Sequence, residues 1–218
     1  MIVKVCGMRE AENIRAVGRL DMDWMGFIFY PESPRYVPGE EAYTTAIDQC
    51  PKKKVGVFVN AGVEEILRKA ALLHLDYVQL HGNESPGQCE ALQAQGYSVI
   101  KAFSVATAAD LERTAAYESH AGYFLFDTKC PGYGGSGQRF DWSALEAYQG
   151  NTPFLLSGGI RPESIRDVRR FRHPQMMGID LNSGFEVAPA WKDAAALERF
   201  INELRIKIID NESNYTVI

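Results

Sequence analysis

Short apolar runs alternate with segments in which apolar residues recur at helical spacing, along almost the whole chain. The runs predict eight strands, at residues 2–6, 25–29, 54–59, 77–80, 98–102, 123–127, 153–156 and 177–181. The segments between them predict eight helices, at residues 11–20, 39–50, 63–73, 85–95, 109–117, 143–148, 162–171 and 194–206. Alternation of this kind is typical of a parallel sheet with helices packed against it.

The chain length favours one of two such folds. At 218 residues the chain has the size of one large domain. An open doubly wound sheet more often stops at five or six strands, whereas eight strand–helix units match the size of a TIM barrel. We therefore expect an α/β fold, a single-domain (β/α)8 TIM barrel over residues 1–206, followed by a tail of unknown structure over residues 207–218.

Composition and charge narrow the function classes. Hydrophobic residues make up 46% and charged residues 23% of the chain, the balance of a soluble globular protein. The net charge of −5 predicts no binding to nucleic acid or to an anionic membrane, so an anionic ligand needs a local positive site. The sequence shows no signal peptide and no membrane-spanning run, which predicts a cytoplasmic protein. Four cysteines without a Cys-x-x-Cys pair predict free thiols rather than a zinc site or disulfides.

Polar residues and glycines follow the predicted strands at their carboxyl ends, where TIM barrels carry their chemistry. These candidates are Cys6, Asn60, Gln79, His81, Lys101, Asp127, Ser157, Gly158, Gly159 and the segment 180–184. His81 fits either a base or a hydrogen-bonded residue that positions another group. Arg35 lies in a proline-stiffened loop, where it fits either a planar fork for a carboxylate or an ordinary surface arginine.

Two of the candidates suit proton transfer. Asp127 ends an apolar strand, where low-dielectric walls favour the protonated carboxyl and therefore a general acid. The same residue also fits a cap on the turn that follows. Cys6 ends the first strand and fits a base if nearby cations favour its thiolate. A lone cysteine in that position also fits a small buried apolar residue.

Glycines follow the seventh and eighth predicted strands, in the sequences SGGIRPES and DLNSG. Glycine lets the backbone approach a ligand closely, and the loops after these two strands hold a phosphate in many TIM barrels. Tight turns alone would also explain each motif, but the two together predict a phosphate site. The longer glycine-rich loop at residues 128–139 is predicted to be a mobile lid.

Several blocks of the sequence resemble the phosphoribosylanthranilate isomerases of tryptophan biosynthesis. The blocks are KVCGM, GFIFYPESPRYV, KVGVFVN, VQLHGNES, FDTKCPGYGGSGQRFDW, PFLLSGGI and GIDLNSGFEVAPAWKD, and they span residues 2 to about 205. The resemblance implies a (β/α)8 barrel that converts N-(5-phosphoribosyl)anthranilate to 1-(2-carboxyphenylamino)-1-deoxyribulose 5-phosphate. The reaction it implies is an Amadori rearrangement by general acid and base catalysis, without a metal or cofactor.

The resemblance also implies roles for individual residues. Cys6 is implied as the general base and Asp127 as the general acid. The residues implied to bind substrate are Arg35, at the anthranilate carboxylate, with Gln79, His81 and Asp180, and the phosphate cradle is implied at Gly158, Gly159, Ser183 and Gly184. The implied partner is a small phosphosugar substrate, and both a monomer and a homodimer stay open.

The sequence leaves two other functions open. A different phosphosugar barrel, such as an indole-glycerol-phosphate synthase, an epimerase or a Schiff-base aldolase, would share the phosphate motifs. An aldolase would need a lysine at a strand end, such as Lys101 or Lys129. A catalytically inactive barrel that binds phosphosugars as a sensor or subunit is the alternative outside the enzymes. The presence of both Cys6 and Asp127 argues against that alternative.

Overall fold

The computed structural model describes residues 1–128 and 141–206. Within these residues, eight parallel strands pair in chain order and close into a barrel through the pairing of the last strand with the first. The strands are β1 (Ile2–Val5), β2 (Trp24–Ile28), β3 (Lys53–Phe58), β4 (Tyr77–Leu80), β5 (Ser98–Val105), β6 (Tyr123–Thr128), β7 (Phe154–Leu156) and β8 (Met176–Leu181). This architecture confirms the predicted TIM barrel.

Helices connect the strands. The α-helices are α1 (Ala11–Val17), α2 (Glu41–Asp48), α3 (Val63–Leu72), α4 (Pro86–Ala94), α5 (Ile165–Arg170) and α6 (Ala194–Arg205). Segments with 3₁₀ geometry are Ala108–Tyr117, Trp142–Ala147, Pro162–Ser164 and Ser183–Phe185. The predicted helices at 109–117 and 143–148 are therefore 3₁₀ helices, and the one at 162–171 begins as a 3₁₀ turn, a tighter form common in short connectors.

Two apolar clusters stabilise the barrel. The larger one lies between the sheet and the helices, and the smaller one consists of Trp24, Val55, Ile100, Ala102, Leu125 and Leu155. Side chains alternate between the two faces of a strand, so the smaller cluster marks the positions that face the barrel interior. Two residues beyond Leu125 and Leu155, the same face carries Asp127 and Ser157. The barrel interior is therefore apolar in its middle and polar at the carboxyl ends of the strands.

Two features of the chain differ from the prediction. β5 continues to Val105 rather than ending at residue 102, because its residues from Ile100 to Val105 pair with β6. An unpredicted antiparallel hairpin follows β8, formed by β9 (Glu186–Ala188) and β10 (Trp191–Lys192). Strands this short carry too little periodicity to be recognised in a sequence.

The remaining predictions concern the cysteines, the glycine-rich loop after β6 and the C-terminal tail. Cys6, Cys50 and Cys89 are buried free thiols, as predicted, whereas Cys130 lies outside the described residues. Residues 129–139 of the predicted lid and the predicted tail at 207–218 also lie outside them. In the part of the chain that is described, no helix has the length and apolar character needed to span a bilayer.

Gly178 provides a test of barrel closure, because it lies opposite Ile2 where β8 pairs with β1. A Cβ at Gly178 would lie 2.5 Å from the Ile2 carbonyl oxygen, a backbone atom that moves only if β1 moves. We expect Gly178→Ala to lower the free energy of unfolding by about 1–3 kcal/mol, as overpacking generally does. Urea denaturation measures the change, and Met177→Ala, at a neighbouring exposed side chain, is the control. Equal stability of the two variants would show that closure tolerates the added methyl group.

Candidate active site

A buried ion pair lies inside the barrel where β1 meets β8. Lys4 Nζ donates a hydrogen bond to Asp180 Oδ1 at 2.8 Å, and neither side chain is accessible to more than a trace of solvent. The Ser157 hydroxyl donates to the other oxygen, Oδ2, at 3.4 Å. Burial by itself would lower the pKa of Lys4, but Asp180 and Cys6 outweigh burial, and the pKa is raised. Lys4 is therefore an ammonium group at the floor of the site.

Sequence reasoning included Asp180 but missed Lys4. The sequence did contain a sign of a buried charge, since Lys4 is a single charged residue inside the apolar run IVKVC. A lysine is almost never fully buried unless it has a partner. The run therefore indicated a buried carboxylate on a neighbouring strand, although it could not indicate which one.

Cys6 follows β1 at the carboxyl end of the barrel. Its N–H donates to the Leu181 carbonyl oxygen at 2.8 Å, which continues the pairing of the first and last strands. Its side chain is 3% exposed. A Cβ on Gly26 would lie 2.7 Å from Cys6 Sγ, so the absence of a side chain on β2 makes room for the thiol.

The surroundings of Cys6 have opposite effects on the pKa of its thiol. Burial raises the pKa of the thiol, and Asp180 adds to that effect, whereas the ammonium groups of Lys4 and Lys192 lower it. The net result is a raised pKa, so the resting thiol keeps its proton at neutral pH. The cations that the sequence analysis required beside a basic thiolate are present, but burial outweighs them.

The mouth of the barrel is its opening at the carboxyl ends of the strands. A chain of polar contacts crosses it, formed by Asp127, His81 and Gln79. Asp127 Oδ2 lies 3.4 Å from His81 Nε2, and His81 Nδ1 lies 3.0 Å from Gln79 Nε2. When the Gln79 amide donates to Nδ1, the imidazole proton lies on Nε2 and is directed to Asp127. Among the described residues, Gln79 Oε1 is buried without a hydrogen-bond partner. Gln79 therefore orients His81 and retains an unused acceptor.

The two oxygens of the Asp127 carboxyl have different neighbours. Its Oδ1 accepts a hydrogen bond from the Thr128 N–H at 2.8 Å, at the end of β6, whereas the turn it was predicted to cap lies outside the described residues. Its Oδ2 is the oxygen that approaches His81. One oxygen thus holds the carboxyl in place while the other remains at the mouth.

Arg35 reaches the mouth from the loop after β2. Its Cδ would lie 2.6 Å from a Cβ on Gly7, so the arginine lies directly over the residue that follows Cys6. Its Nε and Nη2 donate to the two carboxylate oxygens of Glu186, at 2.8 and 2.6 Å. The fork that was predicted to receive a substrate carboxylate is thus partly occupied by Glu186, a residue that sequence reasoning missed.

The glycine loops after β7 and β8 pack closely on their neighbours. Gly158 and Gly159 have φ values of 85° and 66°, in the left-handed region that favours glycine. A Cβ on Gly158 would overlap Thr128, and a Cβ on Gly184 would overlap the carbonyl oxygen of Ile160. The loop after β7 is therefore packed tightly against the end of β6 on one side and against the loop after β8 on the other.

These loops carry several backbone donors for which the described part of the chain provides no acceptor. In residues 1–128 and 141–206, no hydrogen-bond acceptor is assigned to four N–H groups, those of Gly158, Gly159, Ser183 and Gly184. A buried or partly buried N–H normally has a partner. A cluster of free donors at one rim is therefore suited to an anion with several oxygens.

The structure does not place Lys101 in the mouth. Lys101 lies between the inward-facing Ile100 and Ala102, so alternation directs its side chain out of the barrel. Its Nζ donates to Glu84 Oε2 at 3.0 Å and to the Gly82 carbonyl oxygen at 2.8 Å. Lys101 thus stabilises the loop that carries His81 rather than lining the site.

Asn60 also helps to stabilise the loop that carries His81. Its N–H donates to Glu84 Oε1 at 2.8 Å, and its Oδ1 accepts from the Asn83 N–H at 2.7 Å. Asn60 has a φ of 54°, which asparagine tolerates better than most residues. The residue joins the loops after β3 and β4.

Comparisons with known proteins agree on one family. The family model described as N-(5'phosphoribosyl)anthranilate (PRA) isomerase matches residues 3–203 of this chain. The N-(5'-phosphoribosyl)anthranilate isomerase of Parabacteroides distasonis is 58% identical over 207 residues, covering 94% of this chain and 93% of the relative. The crystal structure of the Thermotoga maritima phosphoribosyl anthranilate isomerase superposes with a TM-score of 0.81 at 35% identity, covering 94% of this chain and 98% of that one.

A further solved structure is of a phosphoribosyl anthranilate isomerase in complex with reduced 1-(o-carboxyphenylamino)-1-deoxyribulose 5-phosphate. It superposes with a TM-score of 0.78 at 33% identity and covers 94% of this chain and 98% of that chain. The family match spans nearly all of the barrel and all the strand ends described above. This chain therefore belongs to the N-(5'-phosphoribosyl)anthranilate isomerase family.

Proposed function

We propose that the chain isomerises N-(5'-phosphoribosyl)anthranilate to 1-(2-carboxyphenylamino)-1-deoxyribulose 5-phosphate, with Cys6 as the base and Asp127 as the acid. The activity is that of the family, so the chain is an isomerase of tryptophan biosynthesis. The observation that supports the residue roles is that all the required groups lie around the same mouth of the barrel. A thiol and a carboxyl lie at its strand ends, with free backbone donors on one rim and an arginine on another.

The reaction needs one proton donated and one removed. Protonated Asp127 donates to the furanose ring oxygen, the C1′–O bond breaks, and the nitrogen lone pair forms a protonated Schiff base. The positive nitrogen makes the C2′ proton acidic, and Cys6, once its thiol has released its proton to solvent, removes the C2′ proton as a thiolate. The resulting enolamine takes up a proton at C1′ and loses the proton of its C2′ hydroxyl, which gives the ketone. Lys4 and Lys192 stabilise the thiolate when it forms, because both lower the pKa of Cys6.

The two ends of the substrate carry negative charge, and the site offers a donor group for each. The free N–H groups of Gly158, Gly159, Ser183 and Gly184 suit the phosphate. The arginine suits the anthranilate carboxylate, because a guanidinium forms short, charge-assisted hydrogen bonds with a carboxylate. Anchoring both ends holds C1′ and C2′ between acid and base, and positioning of this kind contributes much of a rate enhancement.

The polar residues between these anchors complete the proposed site. The unused Oε1 of Gln79 is an acceptor for a substrate hydroxyl. His81 is a positioning residue for Asp127, because its Nε2 is directed to that carboxyl. Asp180 binds substrate less directly, since Lys4 and Ser157 already occupy its two oxygens.

Disappearance of the fluorescence of freshly made phosphoribosylanthranilate on mixing with the protein tests the activity. The Schiff-base aldolase alternative is disfavoured, since Lys101 is directed out of the barrel and its amine is bound to Glu84. Lys129, the other lysine considered, lies outside the described residues. Unchanged fluorescence, with the protein folded, would refute the proposed activity.

The role of Cys6 predicts the behaviour of Cys6→Ser. An alcohol is a far weaker acid than a thiol, so the serine cannot supply the anionic base, and we expect kcat to fall roughly 10²- to 10⁴-fold. Substrate deuterated at C2′ should then show a larger primary isotope effect, because proton removal becomes rate-limiting. Cys50→Ser is the control, since Cys50 is a buried thiol before the amino end of β3, away from the mouth, and contacts Met25. Turnover of Cys6→Ser near that of the control would make Cys6 a packing residue.

The role of Asp127 predicts a different signature for Asp127→Asn. The amide keeps the size and polarity of the side chain but cannot donate a carboxylic proton, so ring opening becomes rate-limiting and kcat falls roughly 10²- to 10⁴-fold. The C2′ isotope effect should therefore be small, in contrast to that of Cys6→Ser. The dissociation constant of the reduced product analogue should change little in both variants. A large isotope effect in Asp127→Asn would contradict its assignment as the acid.

The phosphate cradle predicts the effect of Gly159→Asp. Asp tolerates the positive φ of Gly159 better than most residues, so the main change is a negative charge beside the phosphate. We expect KM to rise at least about tenfold, whereas the neutral Gly159→Asn should raise it much less. Gly96→Asp is the control, because Gly96 has a φ of 85° and open space around it at the other end of the barrel. Equal KM values for Gly159→Asp and Gly159→Asn would exclude a phosphate at this loop.

A further inference from the structure

The contact between Arg35 and Glu186 belongs to a larger buried network. Glu186 Oε1 also accepts a hydrogen bond from Lys192 Nζ at 2.5 Å and from the Ala190 N–H at 3.1 Å. Lys192 Nζ donates in addition to Asn182 Oδ1 at 2.8 Å. The network runs from the loop after β2, through the β9–β10 hairpin, to the end of β8.

The Glu186 carboxylate is held in place from several sides. Although burial opposes ionisation, the hydrogen bonds from Arg35 and Lys192 hold the pKa of Glu186 below its usual value. The hairpin is itself attached to α1, since Lys192 exchanges two hydrogen bonds with the Asn13 side chain, at 2.8 and 2.9 Å. A carboxylate fixed in this way is a support for Arg35, and it cannot easily move aside for a ligand.

The contacts of Arg35 are all on one edge of its guanidinium. Nε and Nη2 donate to Glu186, while Nη1 has no partner in the described part of the chain. A guanidinium has five N–H donors in a planar fork, so the Nη1 edge can still receive a carboxylate. Glu186 therefore determines which edge of Arg35 is available and in which direction it points.

The charges of the network leave one positive charge for a ligand. Arg35 and Glu186 alone would sum to zero, and an arriving carboxylate would meet the negative charge of Glu186. Lys192 lies at hydrogen-bond distance from Glu186 and supplies the compensating positive charge. Burial lowers the pKa of Lys192, and the contact with Glu186 opposes that change only in part. The hydrogen bonds from Lys192 Nζ to Glu186 and Asn182 are those of an ammonium donor.

From this geometry we infer that Glu186 and Lys192 are positioning residues for recognition of the substrate carboxylate: Glu186 orients Arg35, and Lys192 neutralises Glu186. The inference rests on the proposed contact of Arg35 with the anthranilate carboxylate. It adds two residues that touch no reacting atom but decide how tightly the carboxyl-bearing end of the substrate is bound.

The test measures binding of two ligands to full-length variants by calorimetry. One ligand is reduced 1-(o-carboxyphenylamino)-1-deoxyribulose 5-phosphate, and the other is the same compound without the ring carboxylate. The variant Glu186→Gln with Lys192→Gln removes the support and keeps the net charge of the network. We expect its dissociation constant for the carboxylated ligand to rise about tenfold, the effect of one charge-assisted hydrogen bond. Binding of the decarboxylated ligand should stay within about twofold.

Two further variants separate orientation from charge. Lys192→Gln alone leaves Glu186 uncompensated, so the carboxylated ligand should bind more weakly to it than to the double variant. In an Arg35→Ala background, the double change should have no further effect, since both residues act through Arg35. Lys53→Gln, at an exposed ion pair with Asp76 at the other end of the barrel, is the control and should bind both ligands normally.

Several outcomes would overturn the inference. Tighter binding of the carboxylated ligand to Glu186→Gln would show that Glu186 competes with the substrate instead of supporting Arg35. An equal loss of affinity for both ligands, or a loss that persists without Arg35, would indicate a general structural role. If the double variant does not fold, Glu186→Asp replaces it, since the shorter carboxylate keeps the charge and should weaken carboxylate binding in the same direction. Unchanged binding of the carboxylated ligand to Arg35→Ala would instead refute the proposed role of Arg35 itself.

Discussion

The pairing of β1 with β8 joins the two ends of the barrel, and the site depends on this contact more than on any other. It places Lys4 opposite Asp180 in register and continues through the Cys6 N–H to Leu181. Cys6 and the loop after β8 thereby become neighbours although they are far apart in the sequence. The hairpin that follows β8 then lies beside the loop that carries Arg35. Closure of the sheet thus brings the proposed base and the carboxylate-binding arginine to one side of the mouth.

Closure also forces charged groups into a low-dielectric interior, where an unpaired charge costs several kcal/mol. In residues 1–128 and 141–206, three buried clusters pair charges of opposite sign. Lys4 pairs with Asp180, Lys101 pairs with Glu84, and Glu186 is shared by Arg35 and Lys192. These groups hold their partners in single geometries, so the mouth is organised before a ligand arrives. Cys6 is neutral in the resting state for the same reason, because burial outweighs the neighbouring cations.

The strand pattern predicted the barrel and the end at which polar residues collect, because alternation and period follow from local backbone geometry. The spacing of the cysteines predicted free thiols, and Cys6, Cys50 and Cys89 confirm it. The strand pattern failed for Lys101, since the carboxyl end of a strand alone does not indicate which face a side chain takes. The adjacent inward-facing residues Ile100 and Ala102 could have provided that information. The roles of the site residues came from resemblance to a family, and they stand here as proposals.

The amino-acid sequence by itself determined the order of strands and helices, the family of the chain, and the residues available at each strand end. These features depend on periodicity and on motifs within short stretches of chain. Only the tertiary structure decided which charges meet. Arg35 and Glu186 are separated by 151 positions, and Lys4 and Asp180 by 176. Coulombic and hydrogen-bond energies depend on distances of a few ångströms in space, and for such pairs those distances are set by closure of the sheet.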